Sequence, residues 1–225
     1  MKLGIIGAMD EEIDILKEVL EIEKEEKIAN SIFFIGKIFG KDVVVVKCDE
    51  GKVNAAMSTQ ILILKYNVEK IINVGVAGAI SDNLNIGGIA ISKDTVEYDF
   101  DTTSLGYELG FAFGLNKVYI ECDKSMYEKI FDISNKYFNT VIGTIGSSDK
   151  FISDEKIKED LKHKFNLIAV DMESASINHV CKLNNIPFCA IRAISDTTNG
   201  IEYRDFLKLA TKNLYKVVTN YIKII

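Results

Sequence analysis

Three acidic residues of this chain, Glu12, Glu173 and Asp196, each follow shortly after an apolar segment that predicts a buried strand. In open α/β sheets, ligands bind beyond the carboxyl ends of the strands, so these carboxylates are expected to meet at one edge. Each acid also has a purely structural interpretation. On that interpretation Glu12 only complements a helix dipole, Glu173 is a first-turn acid of the next helix, and Asp196 is a turn or N-cap residue.

A set of carboxylates at one sheet edge suits cleavage of the bond between a base and a ribose. The base departs through a state with positive charge on the sugar, which a carboxylate stabilises while an acid protonates the leaving group and another group orients water. A carboxylate also binds a vicinal diol by accepting two O–H bonds. Phe151 and Met172, which follow two predicted strands, offer the apolar faces that an adenine requires.

The stretch GIIGAMDEEID at residues 4–14 has the strand–turn–helix pattern of an anion site, but three acids occupy the start of its helix. These acids repel phosphate, which a helix N-terminus otherwise attracts. The chain has only two arginines, Arg192 and Arg204, so bidentate clamping of a phosphate is also scarce. Water is therefore the expected nucleophile. Asp10 and Glu11 are interpreted as surface acids that complement the dipole.

Seven apolar segments rich in Ile and Val predict strands buried on both faces. They span 2–7, 42–48, 70–75, 88–92, 140–147, 167–171 and 187–194. Apolar residues at helical spacing follow several of them: Ile13, Leu16 and Leu20; Val53, Met57, Ile61 and Leu64; Phe206, Leu209, Val217 and Tyr221.

This alternation of strands and helices predicts an α/β fold, a three-layer αβα arrangement with a central mixed β-sheet. Segments 32–38 and 42–48 flank a turn that contains Gly and predict a hairpin, so part of the sheet is antiparallel. A single proline and the absence of any linker composition favour one domain over residues 1–225.

The composition excludes several classes of protein. A net charge of −6 without a long basic run argues against nucleic acid as a partner. The N-terminal apolar run is short and is followed by acids, which argues against a signal peptide or a membrane span. Four scattered cysteines without a CxxC pair indicate a reduced, cytoplasmic protein. His163 and His179 have no evident ligand partners, and His179 is interpreted as packed, so neither a metal nor a cofactor is expected.

Six motifs of the chain resemble those of the 5′-methylthioadenosine/S-adenosylhomocysteine nucleosidases, within the nucleoside phosphorylase superfamily. They are GIIGAMDEE, GKVNAA, NVGVAGAI, SSDKFI, AVDMESASINHVC and PFCAIRAISD, in the family's order and spacing over the whole chain. The resemblance implies a nucleoside phosphorylase-like fold. It also implies hydrolysis of the N-glycosidic bond of methylthioadenosine, S-adenosylhomocysteine and, as a further candidate, 5′-deoxyadenosine, with release of adenine and without a cofactor.

The resemblance also assigns roles to individual residues. Asp196 would protonate adenine N7, with Ser195 orienting it, and Glu12 would position or activate the attacking water. The substrate-binding residues implied are Glu173 and Met172 at the ribose, Arg192 in support, Phe151 and Ile152 at adenine, Val76, Ala77 and Gly78 in the strand-end segment, and Met9 and Phe206 at the 5′ substituent.

Members of the family are homodimers in which the partner subunit closes the 5′ pocket. The matching positions here are Thr102, Leu105 and Phe113, and segment 98–107 resembles the family's dimer-interface loop. A homodimer is therefore expected.

The chain departs from the family pattern at a few positions. Glu50 stands where the family has an apolar residue that touches the 5′-alkylthio group, and Thr102 replaces a commonly apolar residue. Val76 stands for a common Ser or Thr and Ala79 for the usual Gly. A more polar 5′ subsite that favours the homocysteine ammonium is one interpretation. The other is that Glu50 turns to solvent or pairs with Lys52, with no effect on substrate choice.

Two other functions remain open at this point. A nucleoside phosphorylase would need phosphate for turnover, which the scarcity of arginine disfavours. A non-catalytic nucleoside-binding protein of the same fold would bind its ligand without releasing adenine, which the presence of all three acids disfavours.

Overall fold

The computed structural model describes the backbone of residues 1–196 and 200–225 and the side chains of residues 1–195 and 206–225. The strands are β1 Leu3–Gly7, β2 Glu21–Ile28, β3 Ser31–Ile38, β4 Lys41–Lys47, β5 Lys70–Ala79, β6 Ile89–Glu97, β7 Ile120–Glu121, β8 Thr140–Ser147, β9 Leu167–Asp171 and β10 Phe188–Asp196. The helices are α1 Asp10–Lys17, α2 Lys52–Tyr66, α3 Lys124–Ser134, α4 Glu155–Phe165, α5 Ser174–Leu183 and α6 Gly200–Ile224, with a 3₁₀ turn at Thr103–Leu105.

The strands form one mixed sheet, as predicted. Strand β1 lies parallel to β4 and β5, β5 lies parallel to β10, and β6, β8 and β9 run parallel to one another. The pairs β2–β3, β3–β4, β5–β9 and β6–β10 are antiparallel. Because β5 pairs with both β9 and β10, strands β5, β9, β8, β6 and β10 close into a ring. Strands β1, β4, β3 and β2 extend from this ring.

Helices cover both faces of the sheet and bury a separate apolar cluster on each side, which confirms the three layers. Helices α1, α3 and α6 pack together on one face and α2 packs on α5 on the other. Successive residues of β4 serve opposite faces, since Val45 belongs to the first cluster and Val44 and Val46 belong to the second. All three are fully buried, which accounts for the continuous apolar run of this strand.

Three strands, β5, β6 and β10, extend beyond the predicted ends, and the extensions of β5 and β10 change the location of several candidate residues. The predicted segments 70–75 and 187–194 continue to Ala79 in β5 and Asp196 in β10. Val76–Gly78 and Ser195–Asp196 are therefore strand residues and not loop residues. The small residues at the end of β5 carry little apolar signal, but the pairing with β10 continues to Gly78.

Strand β2 was not predicted, and its composition explains why. Its sequence EIEKEEKI is mostly charged and exposed, so it shows no period-two apolar pattern. It is an edge strand that pairs with β3 alone in the described sheet. Charged side chains are a common protection of such edges against aggregation.

Helix α2 confirms the predicted helical segment, but its apolar stripe is not its buried face. Val53 and Leu64 are 79% and 71% exposed. The residues that α2 buries are Ala55, Ser58, Thr59, Leu62 and Tyr66. The helix thus presents apolar side chains to the surface of a single chain.

None of the described helices is long and apolar enough to cross a membrane.

Candidate active site

A cavity of about 220 Å³ opens where β1, β5, β8, β9 and β10 end. Most of the site residues predicted from the sequence line it, although they come from distant parts of the chain. They are Met9, Glu12, Glu50, Val76, Ala77, Gly78, Phe151, Ile152, Met172, Glu173 and Ser195. The expectation that the acids meet at one edge is confirmed for Glu12 and Glu173.

Glu12 is held at the base of the cavity by three backbone amides. Its Oε2 accepts the N–H groups of Ala8 and Met9 at 2.7 and 3.1 Å, and its Oε1 accepts that of Val76 at 2.9 Å. Burial raises the pKa of this carboxyl, while Arg192 and the three amides lower it. A fixed carboxylate with a raised pKa is suited to accept a proton from water.

Glu173 lies at the start of α5 and is almost fully buried. Its Oε1 accepts the N–H of Gly51 at 3.0 Å, and its Oε2 lies 3.4 Å from Nη2 of Arg192. Burial raises the pKa of Glu173 to about 8 in spite of the arginine, and the charges of Asp171 and Glu12 add to the increase. The carboxyl is thus oriented by two donors and faces the cavity.

Arg192 does not line the cavity but supports Glu173 from behind. Its guanidinium is fully buried, and its Nε donates to Asp171 Oδ2 at 2.7 Å. Its Nη2 donates to Asn73 and to the Oγ of Ser174. The ion pair with Asp171 thus fixes the arginine beside Glu173.

Gly75 permits the close approach of Glu12 and Arg192. It faces Arg192 in the β5–β10 pairing. A Cβ at this position would lie 2.6 Å from Glu12 Oε1 and would overlap the guanidinium. Nη1 of Arg192 is buried here and has no hydrogen-bond partner among the described residues. Sequence reasoning missed Gly75 and Asp171, although a glycine within an apolar strand signals close approach of another group.

The opposite wall of the cavity is apolar. Phe151 is 55% exposed at the mouth, whereas Ile152 beside it is buried. Ser148 holds the start of this segment, since its Oγ lies 2.6 Å from the Tyr98 hydroxyl and accepts the N–H of Lys150 at 3.2 Å. Phe151 and Met172 therefore line one cavity, as the proposed adenine-binding faces require.

Some candidate residues lie elsewhere. Phe206 is 36% exposed and is not among the residues that line the cavity. Thr102, Leu105 and Phe113 belong to a surface segment after β6 and do not line the cavity of their own chain, with Leu105 73% exposed. The backbone of Asp196 pairs with Gly78, but its side chain lies outside the described residues, as does that of Arg204.

Two expectations about polar side chains are resolved. Lys52 Nζ binds Asp99 at 2.6 Å and Glu97 at 3.5 Å, so the expected pairing of Lys52 with Glu50 is wrong. Glu50 is exposed, as the alternative that it turns to solvent expects. His179 is packed, as predicted. Its Nδ1 lies 2.9 Å from a Glu97 oxygen and its Nε2 lies 3.1 Å from the carbonyl oxygen of Phe113.

The raised pKa of Glu173 predicts that the protein loses stability as the pH rises. The folded state binds a proton that the unfolded state has released, so the free energy of unfolding falls between the unfolded pKa, near 4.5, and the folded value of about 8. Glu173→Gln should flatten this slope and should unfold at a higher temperature than the parent above pH 8. Thermal unfolding from pH 5 to 9 measures this. Parallel curves for the two proteins would contradict it.

Comparisons with known proteins agree over nearly the whole chain. A family model described as the phosphorylase superfamily matches residues 2–223. The 5′-methylthioadenosine/S-adenosylhomocysteine nucleosidase of Staphylococcus haemolyticus is 38% identical, over 99% of this chain and 100% of its own.

Solved structures of nucleosidases with this name are also similar to the chain in fold. The Colwellia psychrerythraea nucleosidase in complex with adenine has a TM-score of 0.92 and 33% identity, covering 99% of this chain and 95% of its own. An Asp-to-Asn mutant of the Helicobacter pylori nucleosidase, with 5′-methylthioadenosine in the active site, has a TM-score of 0.95 and 29% identity, covering 100% of this chain and 99% of its own.

Proposed function

The chain belongs to the 5′-methylthioadenosine/S-adenosylhomocysteine nucleosidases of the phosphorylase superfamily, and from this premise we propose how its residues carry out the reaction. The reaction is hydrolysis of the N-glycosidic bond of these nucleosides, with release of adenine and a 5-substituted ribose. The observation that carries the mechanism is the pair of buried carboxylates, Glu12 and Glu173, which face one cavity with apolar adenine-sized walls. 5′-Deoxyadenosine is a further candidate substrate.

Glu12 is the residue we assign to the attacking water. Its three backbone donors fix both oxygens. Oε2 accepts two of them and Oε1 accepts one, so Oε1 keeps a lone pair for a further bond. A water in the cavity that donates to Oε1 of Glu12 would keep a lone pair free to attack the sugar.

Glu173 is assigned to the ribose. Gly51 and Arg192 orient its carboxyl group, which in its ionised form can accept bonds from two sugar hydroxyls and stabilise the positive charge that develops on the ring. Adenine would then lie between Phe151 and Met172, with its edge at the backbone of Ile152. Val76, Ala77 and Gly78 would complete the wall, and Met9 would contact the 5′ side.

Asp196 is assigned as the acid that protonates adenine N7, with Ser195 orienting it. Two observations support this. Ser195 is buried and lines the cavity, and the Asp196 backbone lies at the adjacent end of β10. An Asp-to-Asn substitution in the Helicobacter pylori relative accompanies a structure with the substrate in the active site. An acid that protonates the leaving group is the type of residue whose loss slows the reaction but leaves binding intact.

A homodimer would complete the 5′ subsite. The exposed apolar side chains Val53 and Leu64 of α2 and Leu105 of the surface segment favour an interface. Tyr107 and Phe113 form an edge-to-face pair with centroids 4.8 Å apart in the same segment. In this arrangement Thr102, Leu105 and Phe113 close the cavity of the partner subunit, and Phe206 contacts the 5′ substituent in the cavity of its own chain. We infer a single domain over residues 1–225 that acts in the cytoplasm.

An adenine-release assay with and without phosphate tests the proposed function. The protein is incubated with methylthioadenosine and with S-adenosylhomocysteine, and free adenine and the sugar product are measured. We expect adenine release that is independent of phosphate, because the arginine nearest the cavity is committed to Asp171 and Glu173. Turnover that requires phosphate and yields a sugar phosphate would indicate a phosphorylase. Tight binding without adenine release would indicate a non-catalytic binding protein.

A further inference from the structure

Glu50 lies beside the group assigned to the ribose. It follows β4 and lines the cavity, and the N–H of the next residue, Gly51, donates to Glu173 Oε1 at 3.0 Å. A ribose bound by Glu173 is therefore adjacent to the backbone of Glu50. A substituent on that ribose that extends toward the mouth meets this side chain.

The charge of Glu50 is available to a ligand. The two lysines nearest to it in sequence are occupied, because Lys52 binds Asp99 and Glu97 while Lys47 binds Asp10 at 3.0 Å. The Glu50 side chain makes no ion pair or hydrogen bond among the described residues, and only its main-chain carbonyl accepts a bond, from the Asn54 amide. The carboxylate is thus exposed at the rim of the cavity.

Lys150 also lines the cavity and provides a cation on a segment next to that of Glu50. The two segments are joined where Asp149 accepts the N–H of Lys52 at 2.8 Å. The Lys150 ammonium makes no ion pair among the described residues. One acid and one base on adjoining segments match an amino-acid zwitterion, which carries an ammonium and a carboxylate on one carbon.

We propose that Glu50 and Lys150 select the 5′ substituent, with Glu50 binding the ammonium and Lys150 the carboxylate of a 5′-homocysteinyl group. The inference rests on the proposed function. It assigns S-adenosylhomocysteine, and more generally nucleosides with a 5′-thioether-linked amino group, as the preferred substrate class over those with an uncharged 5′-alkylthio group. A methylthio group would leave both charges without a partner and would displace water from the carboxylate.

The test compares kcat/KM for four adenine nucleosides whose 5′-thioether chain is propyl, aminopropyl, carboxypropyl or homocysteinyl. Glu50→Gln should lower the value for the aminopropyl and homocysteinyl substrates by about two- to fivefold, the range of an exposed ion pair. It should leave the propyl substrate unchanged or improved. Glu50→Lys should enlarge the effect by adding repulsion. Lys150→Met should affect the carboxypropyl and homocysteinyl substrates instead.

Glu11→Gln is the matched control, since it removes the same charge from an exposed acid outside the cavity lining. Added NaCl should reduce the preference for the aminopropyl over the propyl substrate more in the parent protein than in Glu50→Gln. Adenine release from all four substrates with ratios that Glu50→Lys does not change would overturn the selectivity inference alone. No adenine release from any of them would overturn the proposed function as well.

Discussion

Glu12→Gln is expected to lower kcat by about 10²–10⁴-fold while methylthioadenosine still binds. Both carboxylate oxygens accept backbone N–H groups, Oε2 from Ala8 and Met9 and Oε1 from Val76. A glutamine has only one acceptor oxygen, so its NH₂ group must face at least one of these donors. The variant also has no group that can take a proton from water. Stopped assays of adenine release and equilibrium binding of the substrate measure the two effects separately.

A pH profile distinguishes a base from a purely structural acid. Burial raises the pKa of Glu12, so the acid limb of kcat for the parent protein should lie above the usual glutamate range. The limb should disappear or shift in Glu12→Gln. Glu11→Gln, on the exposed side of the same helix, should behave as the parent protein does. A folded Glu12→Gln variant that keeps turnover within about tenfold of the parent would exclude a role as general base.

Asp196→Asn is the second variant with a large expected effect, again a loss of about 10²–10⁴-fold in turnover with binding retained. An amide cannot supply the proton that adenine needs in order to leave. The defect should therefore depend on the leaving group. A 5-methylthioriboside of 4-nitrophenol, whose leaving group needs no proton, should lose much less activity than methylthioadenosine does.

Comparing the two substrates makes the role of Asp196 testable whatever the absolute rates are. Ser195→Ala supplies a milder companion variant. The hydroxyl is expected only to orient the acid, so its loss should preserve the same dependence on the leaving group with a smaller effect. Equal losses for adenine and 4-nitrophenol in Asp196→Asn would show that the residue acts on the sugar or on the fold.

Sequence reasoning placed Glu12 and Glu173 together on the premise that the carboxyl ends of strands meet at one edge. The structure brings both acids to one cavity, although β9, which precedes Glu173, runs antiparallel to β5 and reaches the site because the ring of strands closes. The ends of β5 and β10 were not predicted, because Gly, Ala and Ser carry little of the apolar signal by which strands are identified. The charged edge strand β2 was missed for a related reason.

The exposed apolar stripe of α2 shows a second limit of prediction from sequence. Val53 and Leu64 recur at helical spacing and correctly predict a helix. The side that the helix buries is set by its packing on α5 and on the sheet, which uses Ala55, Thr59 and Leu62. Small residues allow this close approach, and periodicity alone does not distinguish an internal face from a face available to a second subunit.

The sequence by itself determined the α/β fold, the acids at the edge of the sheet and the preference for water over phosphate, because these depend on local pattern and on residue type. The tertiary structure decided which groups hold the acids. Glu173 receives its donor from Gly51, 122 residues away, and Lys52 is withdrawn from Glu50 by Asp99, 47 residues away. Such partners meet only when β5 pairs with both β9 and β10 and the ring of strands closes. This closure depends on strands that are far apart in the chain, so no single segment of the sequence predicts it.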